Sequence, residues 1–281
     1  MEHDGMTREQ IAAFGGYRHG EEHSAGTIEK YLRDVRAFAA WLDGRPVTRE
    51  LAAAWKEHLL SEHYAPVTVN SMLAAINSFF RFTGRQDCRV RFLKVQRRMF
   101  RDADRELGRA EYDRLIAAAG ERGQNRLALL IEAIGGTGVR VSEVRYLTVE
   151  AARQGRAEIS LKGKIRVILL SERLCRKLLK YARKNKIASG EIFLTRSGNS
   201  LSRRQIWAEM KRLCRYAGVE ASKVFPHNLR HLFAATFYKA CKDISRLADV
   251  LGHSSIETTR IYLVTSGAEQ VRQLDRLGLV S

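Results

Sequence analysis

The sequence contains few cysteines and no long apolar stretch, and both absences exclude whole classes of protein. Its four cysteines stand singly, without any CxxC pair, so neither a zinc site nor a disulfide framework is predicted. No run of about 18 apolar residues is present, and the opening MEHDGMTREQ does not resemble a signal peptide. No acidic cluster suited to Mg²⁺ is present either. We therefore expect a cytoplasmic protein with no membrane segment and no bound metal.

Acidic residues are also scarce relative to basic ones. The chain has 281 residues, of which 49 are Lys or Arg and 31 are Asp or Glu, so its formal net charge is +18. Such a surplus predicts a polyanionic partner, with nucleic acid first and an anionic membrane second. The alternative is a surface that is charged only for solubility.

Apolar residues recur every three or four positions over most of the chain, which predicts amphipathic helices. The clearest stripe lies in TIEKYLRDVRAFAAWL, and it stops before Gly44 and Pro46. Between residues 81 and 105 the helical pattern breaks and nine basic residues stand against three acidic ones, which indicates a basic linker. The predicted segments are a flexible N-terminus over 1–23, a helical domain over 24–85, the linker over 86–104, a second domain over 105–265 and a tail over 266–281.

One segment has a different period. In AEISLKGKIRVILL the apolar residues alternate, with Ile159 and Leu161 before a Lys-Gly turn and Ile165, Val167 and Leu169 after it. Two period-two runs around a tight turn predict a β-hairpin. The expected fold class is therefore mainly α with a small β-sheet.

Two short blocks place an arginine where an anion can bind. In GGTGVRVSEVRYL the glycines break an apolar helix, and Arg140 follows them near free backbone N–H groups, with Glu143 three residues further on. Helix N-termini favour anions, and a guanidinium adds a two-pronged donor for phosphate oxygens. In PHNLRHLF, His227 and Arg230 lie three residues apart and so share one helix face. The alternatives are a structural ion pair for Arg140, a solvated position for Glu143 and an exposed polar pair on the second block.

The block LGHSSIETTRIYL presents a choice between packing and chemistry. Gly252 is a natural helix end, so His253 should lie in the bend before a new short helix, with Tyr262 nine residues later. A buried tyrosine usually finds a hydrogen-bond partner for its hydroxyl. Periodicity alone favours core packing over catalysis for this side chain.

Taken in order, these blocks resemble those of the tyrosine recombinases, also called the phage integrase family, over nearly the whole chain. TGVRVSE resembles the first arginine box, HNLRH the H-x-x-R box and LGHSSIETTRIY the block that carries the nucleophile. The resemblance implies a helical core-binding domain, a linker and an α+β catalytic domain. The implied catalytic residues are Arg140, Lys162, His227, Arg230, His253 and Tyr262, with Glu143 in support.

The hairpin lysine has two candidates. The turn LKGKIR is one residue shorter than the family's usual turn, so Lys164 is a rival to Lys162. Basic residues of the linker and the hairpin are expected to contact DNA, namely Arg97, Arg98, Lys164 and Arg166.

The implied chemistry is cleavage and rejoining of DNA. Tyr262 would attack a phosphodiester and form a 3′-phosphotyrosine, a covalent intermediate that conserves the bond. Arg140, Arg230 and imidazole donors would stabilise the charge of the five-coordinate transition state. A free tyrosine hydroxyl has a pKa near 10, so it needs a proton acceptor, for which His227 is favoured, and the hairpin lysine would protonate the 5′-oxygen. The family needs no metal or other cofactor.

The family also implies an assembly on double-stranded DNA. Two protomers would bind the inverted arms of one core site, and two sites would pair as a tetramer that exchanges strands through a Holliday junction. The tail carries an apolar set, expected to pack either on a neighbouring protomer or on its own domain: Val271, Leu274, Leu277 and Leu279. We expect such an enzyme in the cytoplasm, associated with a prokaryotic nucleoid.

Two other functions stay open on the sequence alone. A non-cleaving DNA-binding protein of the same fold would have lost at least one catalytic position, and none is missing. A type IB topoisomerase-like enzyme would share the tyrosine chemistry and relax DNA without exchanging partners. Integration, excision and resolution all use this layout, and the lack of an obvious extra arm-binding domain before residue 24 favours a simple core-site recombinase of the Xer type.

Overall fold

The computed structural model describes residues 5–95, 105–161, 164–262, 271–272 and 275–278, and the chain forms two compact units, Met1–Arg97 and Arg98–Ser281. The described residues are mostly helical, with one two-stranded antiparallel sheet, which confirms the predicted fold class. The helices of the first unit are α1 (Arg8–Gly20), α2 (Ala25–Leu42), α3 (Arg49–Ser61) and α4 (Pro66–Phe82). The elements of the second unit are α5 (Arg109–Glu121), α6 (Asn125–Thr137), α7 (Val149–Gln154), β1 (Arg156–Leu161), β2 (Lys164–Leu169), α8 (Glu172–Lys184), α9 (Arg203–Ala217), α10 (Pro226–Cys241), α11 (Ile244–Leu251) and α12 (Ile256–Arg260).

The first unit packs four helices around an aromatic core. Helix α1 lies in the segment that we expected to be flexible, because two features of its sequence stabilise it. The Thr7 hydroxyl and the Gln10 side chain form a reciprocal capping box at its start. Phe14 is fully buried, with its ring edge-to-face against Phe79 at a centroid distance of 5.4 Å.

The start of the predicted linker is attached to α4. Asn77 is buried, and its side-chain amide both donates to the carbonyl of Val90 and accepts from the Val90 N–H, each at 2.9 Å. Two helical turns earlier on the same face of α4, Asn70 makes the same pair of bonds with Leu93, at 2.9 and 2.8 Å. The two asparagines therefore bond the backbone of the segment around Val90 and Leu93 in the way that a neighbouring strand would, and they fix it against α4.

The second unit is built around α6, whose apolar side chains Leu130, Ile131 and Ile134 are fully buried. The helix ends at Gly138, whose φ of +65° belongs to the left-handed region. A side chain there would also overlap the ring of Phe233, so only glycine fits. A 3-10 turn over Val141–Tyr146 follows and leads through α7 to the hairpin.

The predicted hairpin is present, with Ile159 paired to Arg166 and Leu161 to Lys164 across the sheet. On β1, Ile159 faces the core. On β2 the alternating apolar residues face outward instead, since Ile165 is 83% exposed and Leu169 is 75% exposed. The inward side of β2 is completed by Ile168 and the aliphatic part of Arg166.

The C-terminal helices bring distant parts of the sequence together. Helix α10 begins at Pro226 and packs against α6, while α11 is followed by Gly252, which has a left-handed φ of +63°. Tyr262 lies in the turn just after α12 and is buried. None of the described helices is long and apolar enough to cross a membrane.

Candidate active site

Arg230 on α10 is the buried centre of a polar pocket. Its exposed fraction is 2%, and its guanidinium is surrounded by acceptors from three segments. Nη1 donates to the carbonyl of Gly138, and Nη2 donates to the carbonyl of Leu251 at 2.8 Å and contacts His253 Nε2 at 2.9 Å. Nε lies 3.4 Å from the hydroxyl oxygen of Tyr262. Burial lowers the pKa of Arg230 from its usual value, and the hydrogen bond to Tyr262 acts in the opposite direction.

Arg140 stands beside this pocket and is held by Glu143. The Glu143 carboxylate accepts from the Arg140 backbone N–H at 2.8 Å and from Nη1 of the same arginine at 2.9 Å. Glu143 is buried, whereas the Arg140 side chain is 38% exposed. Nη2 of Arg140 also reaches the carbonyl of Gly252, at 3.4 Å. This arrangement orients the guanidinium while leaving part of it open to an incoming anion.

His253 lies in the bend between α11 and α12, between Arg230 and Thr259. Because a guanidinium has only donors, His253 Nε2 accepts from Arg230, and Nδ1 therefore carries the proton. That proton points to the hydroxyl oxygen of Thr259, which is fully buried and 2.8 Å away. Burial and the positive charge of Arg230 lower the pKa of His253 to about 4, so the imidazole is neutral at pH 7.

Tyr262 is 4% exposed and is surrounded by three histidine rings. The centroid distances from its ring are 6.0 Å to His227, 4.4 Å to His231 and 5.6 Å to His253, whose ring is nearly parallel to it. Its backbone N–H donates to the carbonyl of Thr259 at 3.0 Å, which fixes the turn after α12. The tyrosine is thus held next to the arginine pocket of its own chain.

Arg166, which we expected to contact DNA, is turned inward from β2. Its side chain is 12% exposed, and Nη2 donates to Glu143 at 2.7 Å. Nη1 donates to the carbonyl of Leu251, and the aliphatic part lies against Gly252. Burial lowers the pKa of Arg166 to about 10, although the Glu143 carboxylate opposes the shift.

The pocket thus brings together Arg140, Glu143, His227, Arg230, His253 and Tyr262 from three separate sequence blocks. Lys162, Arg97 and Arg98 lie outside the described residues, and Lys164 is the first residue of β2. Within the described ranges, no group of three His, Cys, Asp or Glu side chains is arranged to hold a metal ion.

Two neighbours of Tyr262 were not singled out from the sequence. His231 lies four residues after His227 on α10, and that spacing puts both rings on one helix face, 4.6 Å apart. This signal was available in HNLRH. Thr259 gave no comparable signal, because a threonine in a short polar helix is more often a solvated residue.

Residues 105–268, more than half of the chain, match the family described as the phage integrase family, and residues 15–87 match the phage integrase N-terminal SAM-like domain. Among its relatives, tyrosine recombinase XerC of Roseiflexus castenholzii is 32% identical over 284 residues, covering 90% of this chain and 88% of that protein. Tyrosine recombinase XerA of Thermococcus kodakarensis is 31% identical over 264 residues, covering 90% of each.

Solved structures share the fold at lower identity. A lambda integrase dimer bound to a COC′ core site aligns with a TM-score of 0.72 and 18% identity, covering 92% of this chain and 78% of that one. The Tn1549 transposon integrase in complex with transposon right end DNA aligns with a TM-score of 0.71 and 16% identity, covering 96% and 98%.

Proposed function

This chain belongs to the phage integrase family, and from that premise we propose that it is a site-specific DNA recombinase that cleaves and rejoins DNA through Tyr262. One contact carries the proposal. The hydroxyl oxygen of Tyr262 lies 3.4 Å from Nε of Arg230, in a pocket that also holds Arg140. Packing in the core alone would not require a buried guanidinium at the tyrosine hydroxyl and three imidazole rings around the tyrosine ring.

The first step is attack on phosphorus by Oη of Tyr262. A bond forms between that oxygen and phosphorus, the bond from phosphorus to the 5′-oxygen breaks, and the DNA 3′ end stays attached to the enzyme. Arg140 and Arg230 would stabilise the added charge on the non-bridging oxygens. Among the described residues Arg230 makes its hydrogen bonds to neutral groups, so its positive charge is available to a phosphate.

Two proton transfers complete the step. The tyrosine hydroxyl loses its proton to an imidazole, for which His227 is our candidate because it lies at the exposed edge of the Tyr262 pocket. The 5′-oxygen gains a proton from the hairpin lysine, Lys162 or its rival Lys164. Rejoining reverses these transfers, with a 5′-hydroxyl attacking the phosphotyrosine.

The substrate we propose is double-stranded DNA with inverted core sites, bound by one protomer on each arm. The protein's net charge of +18 supports a polyanionic partner. The structures of lambda integrase hold a dimer on a core site and a tetramer on a Holliday junction. In the tail, Val271 and Leu277 are 56% and 60% exposed, which suits contact with a neighbouring protomer. We propose the helical N-terminal domain, residues 24–85, as the core-binding part.

The test is covalent capture on a nicked suicide substrate that carries the candidate core site. We expect wild-type protein to form an adduct that survives a denaturing gel without any metal. Tyr262→Phe should bind the same DNA with near-normal affinity and give no adduct, because only the attacking oxygen is lost. An adduct trapped by this variant would exclude Tyr262 as the nucleophile.

A second assay separates recombination from topoisomerase activity. We expect no relaxation of a supercoiled plasmid that lacks the core site, since productive cleavage should require protomers assembled on that site. Relaxation of such a plasmid by wild-type protein, lost in Tyr262→Phe, would favour the type IB alternative.

A further inference from the structure

The inward arginine of the hairpin joins parts of the site that are far apart in sequence. Arg166 lies on β2, which begins two residues after Lys162. Its Nη2 bonds the same Glu143 carboxylate that holds Arg140, at 2.7 Å. Its Nη1 bonds the carbonyl of Leu251, which also accepts from Nη2 of Arg230. One side chain thus shares an acceptor with each of the two phosphate-binding arginines.

The acceptors themselves explain why an arginine suits this position. Leu251 ends α11, and its carbonyl belongs to the negative end of the helix dipole. The Glu143 carboxylate adds a full negative charge, and the side chain that carries it is 4% exposed. A planar guanidinium can reach both groups at a fixed angle, whereas a lysine ammonium is a point donor on a flexible stem.

The contacts also argue against a direct role for Arg166 on DNA. Its side chain is 12% exposed, and both of its terminal nitrogens donate to protein groups. Gly252 lies against its aliphatic part, so the side chain packs on the residue that follows α11. The Arg140–Glu143 pair, in contrast, keeps two hydrogen bonds of its own without Arg166.

We propose that Arg166 is a positioning residue that fixes the hairpin, and with it the general-acid lysine, relative to the phosphate-binding arginines. The inference rests on the proposed function. Without Arg166 the pocket keeps its arginines, but β2 loses its polar attachment to Glu143 and Leu251. The step that suffers is then protonation of the departing 5′-oxygen rather than binding of the phosphate.

The experiment compares two suicide substrates under single-turnover conditions. One has an ordinary phosphodiester at the cleavage position and the other has sulfur in place of the bridging 5′-oxygen. Sulfur leaves as a thiolate and needs no proton, so a defect in the general acid disappears on this substrate. The ratio of the two rates is independent of how much of a preparation is folded, because both rates come from the same preparation.

Relative to wild type, we expect Arg166→Met to cleave the phosphodiester about 100-fold more slowly and the sulfur substrate less than about tenfold more slowly. The rate ratio, defined as the rate on the sulfur substrate divided by the rate on the phosphodiester, should therefore rise. Arg166→Lys should fall between wild type and Arg166→Met. The matched control is Arg156→Met, on β1. The Arg156 side chain is 57% exposed and, among the described residues, pairs only with Glu158. The rate ratio of this variant should equal that of wild type.

Three outcomes would overturn the proposal. Equal slowing on both substrates would show that Arg166 acts on the phosphate pocket or on folding alone. Normal cleavage by Arg166→Met would remove any role. A more than about tenfold loss of DNA affinity with an unchanged rate ratio would return Arg166 to the DNA contact expected from the sequence. Absence of an adduct with wild-type protein on either substrate would instead contradict the proposed function.

The same ratio measured for Lys162→Ala and Lys164→Ala identifies the lysine through which Arg166 acts. The true general acid should show the largest rise of all the variants, and combining its substitution with Arg166→Met should raise the ratio no further. A further rise in the double variant would mean that the two residues act on different steps, which contradicts the proposal.

Discussion

The hydroxyl oxygen of Thr259 lies 2.8 Å from Nδ1 of His253, and both groups are linked to Tyr262. The Thr259 carbonyl accepts from the Tyr262 N–H, and the His253 ring is stacked on the tyrosine ring. A hydroxyl can both accept and donate, so it keeps its bond to Nδ1 in either tautomer of the imidazole. We propose that Thr259 lets His253 accept from Arg230 in the DNA-free protein and donate from Nε2 once a phosphate binds the Arg230 guanidinium.

Replacing Thr259 by valine should slow cleavage without weakening DNA binding. Valine has the same shape but removes a hydrogen bond worth about 1.4 kcal/mol to the oriented imidazole, which corresponds to about tenfold in rate. The measurement is the single-turnover rate of adduct formation on the suicide substrate. Thr259→Ser keeps the hydroxyl and should recover most of that rate. If valine and serine variants were equally slow, the buried methyl group rather than the hydrogen bond would be responsible.

The parts of the molecule that follow from local pattern were predicted well. The apolar stripe of α2 and the alternation of the hairpin depend on neighbours three, four or two residues away, and these neighbours are visible in one sequence. The candidate residues Arg140, Arg230 and Tyr262 were recognised because each lies in a compact block whose order matches a known family. Their assignment as catalytic residues stays a prediction, and the structure adds that their side chains lie close together.

The parts that depend on tertiary contacts were not predictable in this way. Periodicity shows that Ile165 and Leu169 share one face of β2, but it does not show that this face is the exposed one. The DNA contact expected of Arg166 from its charge stays a prediction, whereas its ion pair with Glu143, 23 residues away, was not visible in the sequence. Helix α1 was missed because its polar, glycine-containing sequence obscures its three buried side chains, Ile11, Phe14 and Arg18.

The protein should lose stability between pH 6.5 and pH 4 partly through His253. Burial and Arg230 lower the pKa of this imidazole to about 4 in the folded chain, against about 6.5 when it is unfolded. The unfolded chain therefore binds more protons across this window, and the free energy of unfolding rises with pH there. The stabilisation is complete above pH 6.5 and is lost as pH falls toward 4. The pKa difference alone sets an upper limit of about 3 kcal/mol, and solvent screening of the half-buried ring makes the actual loss smaller.

Urea unfolding of wild type and His253→Gln at several pH values tests this assignment. Glutamine can still accept from Arg230 but does not titrate, so its contribution to stability should not change over the window. The difference in free energy of unfolding between the two proteins should shift in favour of the variant as pH falls. Parallel pH curves would mean that other groups cause the whole loss.

DNA binding should weaken steeply with salt, because lysine and arginine contacts to phosphates release counterions. Arg97 and Arg98 lie in the predicted linker and outside the described residues, so their role is predicted from charge alone. The double substitution by alanine should weaken binding to all DNA sequences alike and reduce the slope of log K against log salt by about 2. An unchanged slope in a filter-binding titration would remove these two arginines from the DNA interface.

Alanine at Gly252 should destabilise the protein far more than alanine at Gly218. Both glycines end a helix in the left-handed region, with φ of +63° and +59°. A methyl group at Gly218 meets open space, so its cost is the backbone strain of about 1 kcal/mol. At Gly252 the methyl group would overlap the side chain of Arg166, which adds about 1–3 kcal/mol of overpacking.

The cost at Gly252 should depend on Arg166. In an Arg166→Ala background the obstructing side chain is gone, so Gly252→Ala should cost little more than Gly218→Ala costs in wild type. Thermal unfolding of the four proteins of this double-mutant cycle measures the coupling directly, and we expect about 1–3 kcal/mol in the direction of relief. The Gly218→Ala substitution should show no coupling to Arg166, because the two residues share no contact. If both glycines coupled equally, or neither did, Arg166 would not pack on the turn before His253, and its attachment to the pocket would consist of its polar contacts with Glu143 and Leu251.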